Sequence, residues 1–162
     1  MMEAIQFETR RAHPADAEDI AAAHLDSIRS TGALFYSAEI VNDWGAKLTG
    51  DLYVKAMELG EVFYIAVGTV DGKPGVIGFA SHRVAGAQNR TAVYVRGEAA
   101  RQGIGSALFR LAEAEAIAAG ASAIHVAASL AAVEFYIYMP ATNITPERST
   151  SVSLGTERRT ER

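Results

Sequence analysis

Residues 94–111, YVRGEAARQGIGSALFRL, join a strand-like run to a helical pattern through a loop that contains Gly103 and Gly105. The start of a helix presents backbone N–H groups that have no partner inside the helix, and the helix dipole favours an anion there. Glycines at alternate positions remove the Cβ atoms that would keep a phosphate away from those amides. Arg101 adds a guanidinium at the mouth of the loop. The stretch therefore indicates a pyrophosphate-binding loop, with an ordinary flexible turn as the alternative.

The segments on either side of this loop predict a strand–helix–strand unit. Residues 91–95 suit a strand, and apolar residues at helical spacing from Ile104 predict a helix that ends at Gly120. Residues 124–127 form the next short apolar run. Two neighbouring strands joined through a helix run parallel, and the crossover is right-handed. We therefore expect a parallel pair of strands beside the glycine loop.

The rest of the chain alternates between helical and strand-like patterns. The elements predicted before the loop are a strand over 5–9, a helix starting at Pro14, helical segments within 37–59, strands over 62–70 and 76–84 joined by the turn DGKP, and a polar loop over 86–90. After residue 127, a helix over 131–139 is expected to end at Pro140. This order predicts one mixed α/β domain over residues 1–145. Residues 146–162 have the composition of a weakly structured tail with at most one last strand.

Composition excludes several classes of protein. The chain of 162 residues has a net charge of −4, whereas binding to nucleic acid normally needs a basic surface. It contains no cysteine, which removes disulfides, thiolate metal sites and cysteine nucleophiles. The first residues have no basic segment followed by an apolar one, and no apolar run is long enough to cross a membrane. We expect a cytoplasmic protein that binds neither nucleic acid nor membrane.

Known phosphate-binding and catalytic motifs do not explain the glycine loop. A dinucleotide-binding fingerprint requires a third glycine where Leu108 stands, and no P-loop motif occurs in the chain. A nucleophile elbow is also missing, since the segment at 120–124, GASAI, lacks the final glycine. The four histidines have no metal-ligand spacing. An anion bound by main-chain amides remains the best interpretation.

The loop resembles the acyl-CoA signature of the GNAT superfamily of N-acetyltransferases. The resemblance rests on residues 101–108, RQGIGSAL, preceded by VYV at 93–95. Downstream, residues 129–136, SLAAVEFY, are similar to the second cofactor segment of that family. The resemblance implies a single-domain α/β fold. Its sheet would be mixed but mostly antiparallel, with a splayed central pair of parallel strands flanked by helices.

The same resemblance implies roles for particular residues. Acetyl-CoA would be the cosubstrate, without a metal, and its arm would lie along the central strand with a backbone N–H near Val95 polarising the thioester carbonyl. Tyr136 would be the general acid for the leaving thiolate. The general base stays unassigned, with His82 on the preceding strand as one candidate. The residues expected to bind the cofactor are Val93, Tyr94, Val95, Arg101, Gln102, Gly103, Ile104, Gly105 and Ser106, and those expected to line the acceptor pocket are Phe35, Tyr36 and Trp44.

The expected reaction is acetyl transfer from acetyl-CoA to a primary amine of a small molecule or protein, by direct attack in a ternary complex. A catalytically silent acyl-CoA-binding domain is the first alternative. It is favoured by the absence of a carboxylate at 91–93, by Ala131 in place of a frequent asparagine, and by Pro140-Ala141 in place of a glycine–aromatic pair. A phosphate binder of another α/β family is the second. By analogy with relatives, a homodimer is expected.

Overall fold

The computed structural model describes residues 5–30, 34, 36–86 and 88–126, which form a single sheet of five strands with helices on both faces. Short 3-10 turns cover Pro14–Asp16 and Gly97–Ala99. The strands are β1 (Glu8–Arg11), β2 (Val62–Val70), β3 (Lys73–Ala85), β4 (Gln88–Val95) and β5 (His125–Val126), and the helices are α1 (Ala17–Ser30), α2 (Ala38–Gly45), α3 (Gly50–Glu58) and α4 (Ile104–Ala118).

The strands lie in the sheet in the order of the sequence, from β1 to β5. The first four pair antiparallel, and β4 pairs parallel with β5 after the crossover through α4. The described pairing of β4 with β5 consists of Arg90 with His125 and Thr91 with Val126. The expected α/β fold, with a mostly antiparallel sheet and a parallel pair beside the glycine loop, is therefore confirmed.

Two apolar clusters hold the helices against the sheet. On one face, α1 and α3 pack over Phe63, Ile65 and Phe79. On the other face, Ile104 and Leu108 of α4 belong to a second cluster, which also contains Ala66, Ile77, Ala80, Ala99 and Ala112. Proline at the start of the first 3-10 turn and acidic residues in the first turn of α1 suit a helix beginning. Both faces of the sheet are therefore buried, and the 96–103 loop connects the end of β4 to the start of α4.

A β-bulge in β3 determines which side chains reach each cluster. Ala66 pairs with Gly78 but the next residue, Val67, pairs with Val76, so Ile77 is the extra residue. Val76 and Phe79 consequently belong to the cluster under α1, while Ile77 belongs to the cluster under α4. Simple alternation along the strand would have put Val76 and Phe79 on opposite faces.

The predicted boundaries differ from the structure at several strands, and β3 begins at Lys73, three residues before its predicted start at residue 76. β1 covers Glu8–Arg11, three residues later than the predicted start. The predicted polar loop over 86–90 is wrong from Gln88 onward, because β3 extends to Ala85 and pairs there with Gln88 of β4. Polar residues continue the hairpin there, so polarity did not mark a loop. The predicted helix over 131–139, the division at residue 145 and the tail over 146–162 lie outside the described residues.

Candidate cofactor and acceptor site

The peptide groups of Val93 and Val95 in β4 point away from β3. The amide of Arg96 donates to the carbonyl of Ile77 at 2.9 Å, which fixes the orientation of the backbone at the end of β4. Successive N–H groups along a strand point to opposite sides, so those of Val95 and Val93 face the β5 side. In the described part of the chain, no strand pairs with that side of β4 beyond Thr91. These N–H groups have the orientation that pairing with an extended ligand requires.

The loop after β4 contains two residues in the left-handed backbone region. Arg101 has a φ of 64° and Gly103 a φ of 85°. For a residue with a side chain, such as Arg101, this conformation costs about 1–2 kcal/mol. Strained backbone of this kind clusters at ligand-binding sites, and here it ends at the helix start expected to hold an anion. The strain at Arg101 therefore favours the binding interpretation over the flexible turn.

The start of α4 leaves main-chain donors available. Gly103 is the N-cap residue, and a Cβ placed on it would meet no atom within 4 Å, so the space beside it is open. The amide of Ala107 makes the first intrahelical bond, to the carbonyl of Gly103 at 3.1 Å. The amides of Ile104 and Gly105 precede that bond and have no acceptor within the helix. Open space and available donors thus meet at the predicted glycines.

Gln102 ties this loop to the N-terminal segment. Its side-chain Oε1 accepts a hydrogen bond from the amide of Ile5 at 2.9 Å. Arg101 is exposed, with its guanidinium accessible to a charged group, and Ser106 is half-buried in the first turn of α4. Among the predicted cofactor residues, Gln102 therefore forms a structural hydrogen bond, while the Arg101 side chain is exposed at the surface of the loop.

Helix α1 also holds the segment that enters the loop. The carboxylate of Asp26 accepts a hydrogen bond from the amide of Gly97 at 2.9 Å. A Cβ on Gly97 would overlap the side chain of Ser30, so α1 and the 3-10 turn at Gly97–Ala99 pack without space between them. The position of the loop relative to the sheet thus depends on α1.

Asp26→Ala should lower the free energy of unfolding by about 1–2 kcal/mol, because a charge-assisted hydrogen bond to a backbone amide is lost. Chemical denaturation at pH 7 would measure this loss. Asp19→Ala is the matched control, since Asp19 lies exposed in the first turn of the same helix. Asp19→Ala should lower the free energy of unfolding by only about 0.5 kcal/mol. Equal losses in the two variants would contradict a specific tether.

A buried aromatic group connects α1 to β4. The ring of His24 lies 4.0 Å from that of Tyr94, centre to centre, and its Nδ1 is hydrogen-bonded to the hydroxyl of Tyr53 at 2.7 Å. Burial lowers the pKa of His24 from its usual value near 6.5 to about 3. The imidazole is therefore neutral at physiological pH, and it positions Tyr94 by packing.

Acid should destabilise the protein through His24. The unfolded chain takes up a proton at His24 below pH 6.5, whereas the folded state resists protonation down to about pH 3. The stability that the neutral ring contributes is present above pH 6.5 and is lost as the pH falls toward 3. We expect a loss of about 2 kcal/mol between pH 7.5 and pH 5. Urea denaturation at both pH values would measure it.

His24→Leu should remove about that much of the pH dependence, whatever it does to stability at pH 7.5. His13→Leu is the control, since His13 is exposed before the first 3-10 turn. A His24→Leu variant that keeps the full pH dependence of the parent would show that another group is responsible.

The predicted acceptor residues are brought together in part. The ring centres of Tyr36 and Trp44 lie 4.6 Å apart in an edge-to-face contact, and both side chains are half-buried. Phe35 and the predicted general acid Tyr136 lie outside the described residues. The acceptor role of Tyr36 and Trp44 stays a prediction.

Two polar residues lie directly opposite each other on the α4 face of β3 and β4. His82 is 4% exposed, and its Nε2 is hydrogen-bonded to Oδ1 of Asn89 at 2.9 Å. Its cross-strand partner Thr91 has a buried hydroxyl with no hydrogen-bond partner among the residues described. His82 is thus packed on the face away from Tyr94.

One titratable residue that sequence reasoning missed is Glu61, on the other face. It is half-buried immediately before β2. Burial raises the pKa of this carboxyl, while hydrogen bonding to Ser81 and the nearby guanidinium of Arg83 oppose the rise. A single glutamate before a strand has no spacing signal in the sequence. Only the strand register shows what it faces.

Within residues 5–126, apart from the undescribed positions, no helix has the length and apolarity needed to span a membrane. The same residues contain no group of three or more histidine, aspartate or glutamate side chains suited to hold a metal ion.

Known proteins share this fold. The GCN5-related N-acetyltransferase from Rhodopseudomonas palustris is 29% identical, with a TM-score of 0.67 over 85% of this chain and 82% of that one. The PaiA N-acetyltransferase from Thermoplasma acidophilum, in complex with coenzyme A, is 21% identical, with a TM-score of 0.66 over 83% and 87%. A GNAT acetyltransferase from Brucella melitensis, in complex with acetyl-CoA, is 18% identical, with a TM-score of 0.54 over 81% of both.

No curated protein sequence matches the chain significantly. The family model of GNAT acetyltransferases matches residues 33–137, which is well over half of the sequence. This range contains β4, the strained loop and the start of α4, where the open donors lie. The chain therefore belongs to the GNAT family of acetyltransferases.

Proposed function

We propose that this protein transfers the acetyl group of acetyl-CoA to a primary amine of a small molecule or protein, by direct attack in a ternary complex. The observation that carries the proposal is the orientation of β4, whose Val93 and Val95 peptide groups face away from β3 beside the strained loop. A thioester carrier can pair with those groups as an added strand while its diphosphate meets the start of α4.

The carrier would bind mainly to main-chain donors. The amides of Ile104 and Gly105 would hold the diphosphate, and the Arg101 guanidinium would add charge at the loop surface. The backbone of Gly103 would allow a close approach because it lacks a Cβ. Because main-chain amides would bind the diphosphate, the hydrogen bond between the Gln102 side chain and the amide of Ile5 removes no phosphate donor.

Chemistry at the thioester needs stabilisation of the oxyanion and a proton for the leaving thiolate. The N–H of Val95 points away from β3 and would polarise the thioester carbonyl. Tyr136 would protonate the thiolate, because a phenol keeps its proton at neutral pH. The aromatic pair Tyr36 and Trp44 would contact the acceptor.

The experiment that tests this function has two stages. Calorimetry with acetyl-CoA should show binding, and absence of heat at millimolar ligand would reject both the transferase and the silent acyl-CoA-binding domain. Release of free CoA thiol is then followed with a diamine, an arylalkylamine, an amino sugar and a lysine-containing peptide as acceptors. Binding without thiol release above background for any of these amines would favour the silent domain.

The location and assembly of the protein are also proposals. We propose that it acts in the cytoplasm without binding nucleic acid or membrane, and that it forms a homodimer. The net charge of −4 supports the absence of nucleic-acid binding, because such binding normally needs an excess of positive charge. Sedimentation of the purified protein at micromolar concentration would test the second, and a single species with the monomer mass of 17.2 kDa would contradict it.

A further inference from the structure

Gly97 lies where helix α1 leaves no space for a side chain. It begins the 3-10 turn that follows β4, and its φ is outside the left-handed region that favours glycine. A Cβ placed on it would lie 2.6 Å from the Cβ of Ser30 and would overlap the Ser30 hydroxyl. The Cβ of Ser30 is attached to the helix backbone, so rotation of its side chain does not relieve the overlap. Any larger residue at position 97 would therefore separate the turn from α1.

Hydrogen bonds surround this contact between α1 and the turn. The Ser30 hydroxyl donates to the carbonyl of Asp26 at 2.7 Å, a bond within the last turns of the helix. The Asp26 carboxylate accepts a hydrogen bond from the amide of Gly97 at 2.9 Å. The start of the 3-10 turn is thus both in close contact with α1 and hydrogen-bonded to it.

The turn is also fixed at its other sides. The amide of Arg96 donates to the carbonyl of Ile77 at 2.9 Å, and its Nε donates to the carbonyl of Val76 at 2.8 Å, so both bonds end at the bulge of β3. Ala99, at the end of the turn, is fully buried in the same cluster as Ile104, the first residue of α4. Because the turn is packed on both sides, a displacement at its start would be transmitted to the start of α4.

The position of this turn matters to a ligand that is bound at both ends of the 96–103 loop. Acetyl-CoA would pair with Val95 before the loop and meet the amides of Ile104 and Gly105 after it, so the spacing between these groups has to match the ligand. A displacement of about 1 Å takes a hydrogen bond of ordinary length out of its effective range. The carboxylate of Asp26 repels a diphosphate, so Asp26 can assist binding only through the backbone that it holds.

We propose that Gly97 and Asp26 are positioning residues for the cofactor, through which α1 fixes the start of α4 relative to the end of β4. The close contact at Gly97 sets the distance of the turn from α1, and the Asp26 carboxylate holds the turn at that distance. The amides of Ile104 and Gly105 are thereby aligned with the diphosphate while the thioester lies at Val95. This inference deepens the proposed function and rests on it, because it requires acetyl-CoA to occupy both ends of the loop.

The first test measures the affinity of Gly97→Ala for acetyl-CoA by calorimetry and its kcat at saturating acetyl-CoA with the best of the four amines. The dissociation constant should rise by about 10–10²-fold, as expected for the loss of one charge-assisted hydrogen bond to the diphosphate. The value of kcat should stay within about threefold of the parent, because the groups at the thioester are unchanged. Gly50→Ala is the matched control, since it places the same methyl group against the Glu18 side chain at the other end of α1. It should keep the parental affinity.

Compensating and conservative variants separate positioning from a general loss of stability. Ser30→Gly removes both atoms that a Cβ at position 97 would overlap. The double variant Ser30→Gly with Gly97→Ala should therefore recover an affinity within about threefold of the parent, as should Ser30→Gly alone. Asp26→Asn keeps an oxygen that can accept from the Gly97 amide and should also bind within about threefold of the parent, whereas Asp26→Ala should bind about 10-fold more weakly. If Gly97→Ala does not fold, the two Asp26 variants decide the question.

Three results would overturn the inference. Parental affinity in a folded Gly97→Ala or in Asp26→Ala would show that the contact with α1 does not limit binding. A double variant that binds as weakly as Gly97→Ala alone would exclude the overlap with Ser30 as the cause. A lower unfolding temperature with an unchanged dissociation constant would assign both residues a purely structural role. These failures differ from failure of the proposed function, in which the parent itself gives no heat with acetyl-CoA or releases no thiol with any amine.

Discussion

Tyr136→Phe should lower turnover by about 10²–10⁴-fold while leaving the affinity for acetyl-CoA within about twofold. The phenol is protonated at neutral pH, so it can donate to the thiolate as the carbon–sulfur bond breaks. Phenylalanine keeps the ring and removes only the donor. The free thiolate is a poorer leaving group without that proton, and the loss should therefore fall on kcat. Steady-state thiol release with saturating acetyl-CoA measures it.

Tyr64→Phe is the matched control, because it removes a phenol from the α4 side of the sheet. The Tyr64 hydroxyl donates to Glu115 at 2.6 Å, so its loss should cost some stability and no turnover. Similar kcat values for the parent and Tyr136→Phe would leave the thiolate to be protonated by water. Equal decreases in both variants would point to a general loss of folded protein.

Much of the fold follows from periodicity in the sequence. β2 and α4 have the predicted extents, because each is a long apolar pattern bounded by turn residues: Asp71-Gly72 after β2 and Gly120 after α4. The turn after β2 contains Asp71 and Gly72 with φ of 52° and 80°, a geometry that these residue types favour. Local signals of this kind need no tertiary information.

The predicted strand boundaries are wrong where they depend on pairing between strands. The first residues of β4 are polar, and only their partners in β3 make them a strand, as Arg83 does for Arg90. The extra residue at Ile77 was also not predicted, because a bulge depends on the register of β2 against β3. Both features depend on interactions between residues that are distant in the sequence. The alternation of polar and apolar residues within one segment therefore does not predict them.

In the candidate site too, features that depend on local sequence could be predicted, and features that depend on tertiary structure could not. Gly103 and Gly105 were identifiable because the helix start and the lack of side chains act locally. Glu61 was missed because its neighbours Ser81 and Arg83 belong to a different strand, β3, and no spacing within the sequence relates them to it. The strained φ of Arg101 likewise has no sequence signal, since arginine is uncommon in that conformation.

Gly105→Val should weaken acetyl-CoA binding by about 10²–10⁴-fold and leave the protein folded. Gly105 is the second residue of α4, and its amide has no acceptor within the helix. A branched side chain there would hold the diphosphate away from that amide and from the neighbouring amide of Ile104. Losing two charge-assisted hydrogen bonds, each contributing about 1.5–3 kcal/mol, accounts for a decrease of this size. Calorimetry with acetyl-CoA gives the two dissociation constants directly.

Ala118→Val separates this effect from a change in helix stability. Ala118 is exposed in the last turn of α4, so the same valine there costs helix propensity without approaching the loop. Circular dichroism should give both variants the helical signal of the parent, and only Gly105→Val should lose affinity. Valine at position 105 with parental affinity would mean that the diphosphate does not meet the start of α4. The ligand would then have to be anchored elsewhere, and the alignment of its thioester carbonyl with the Val95 N–H would no longer follow.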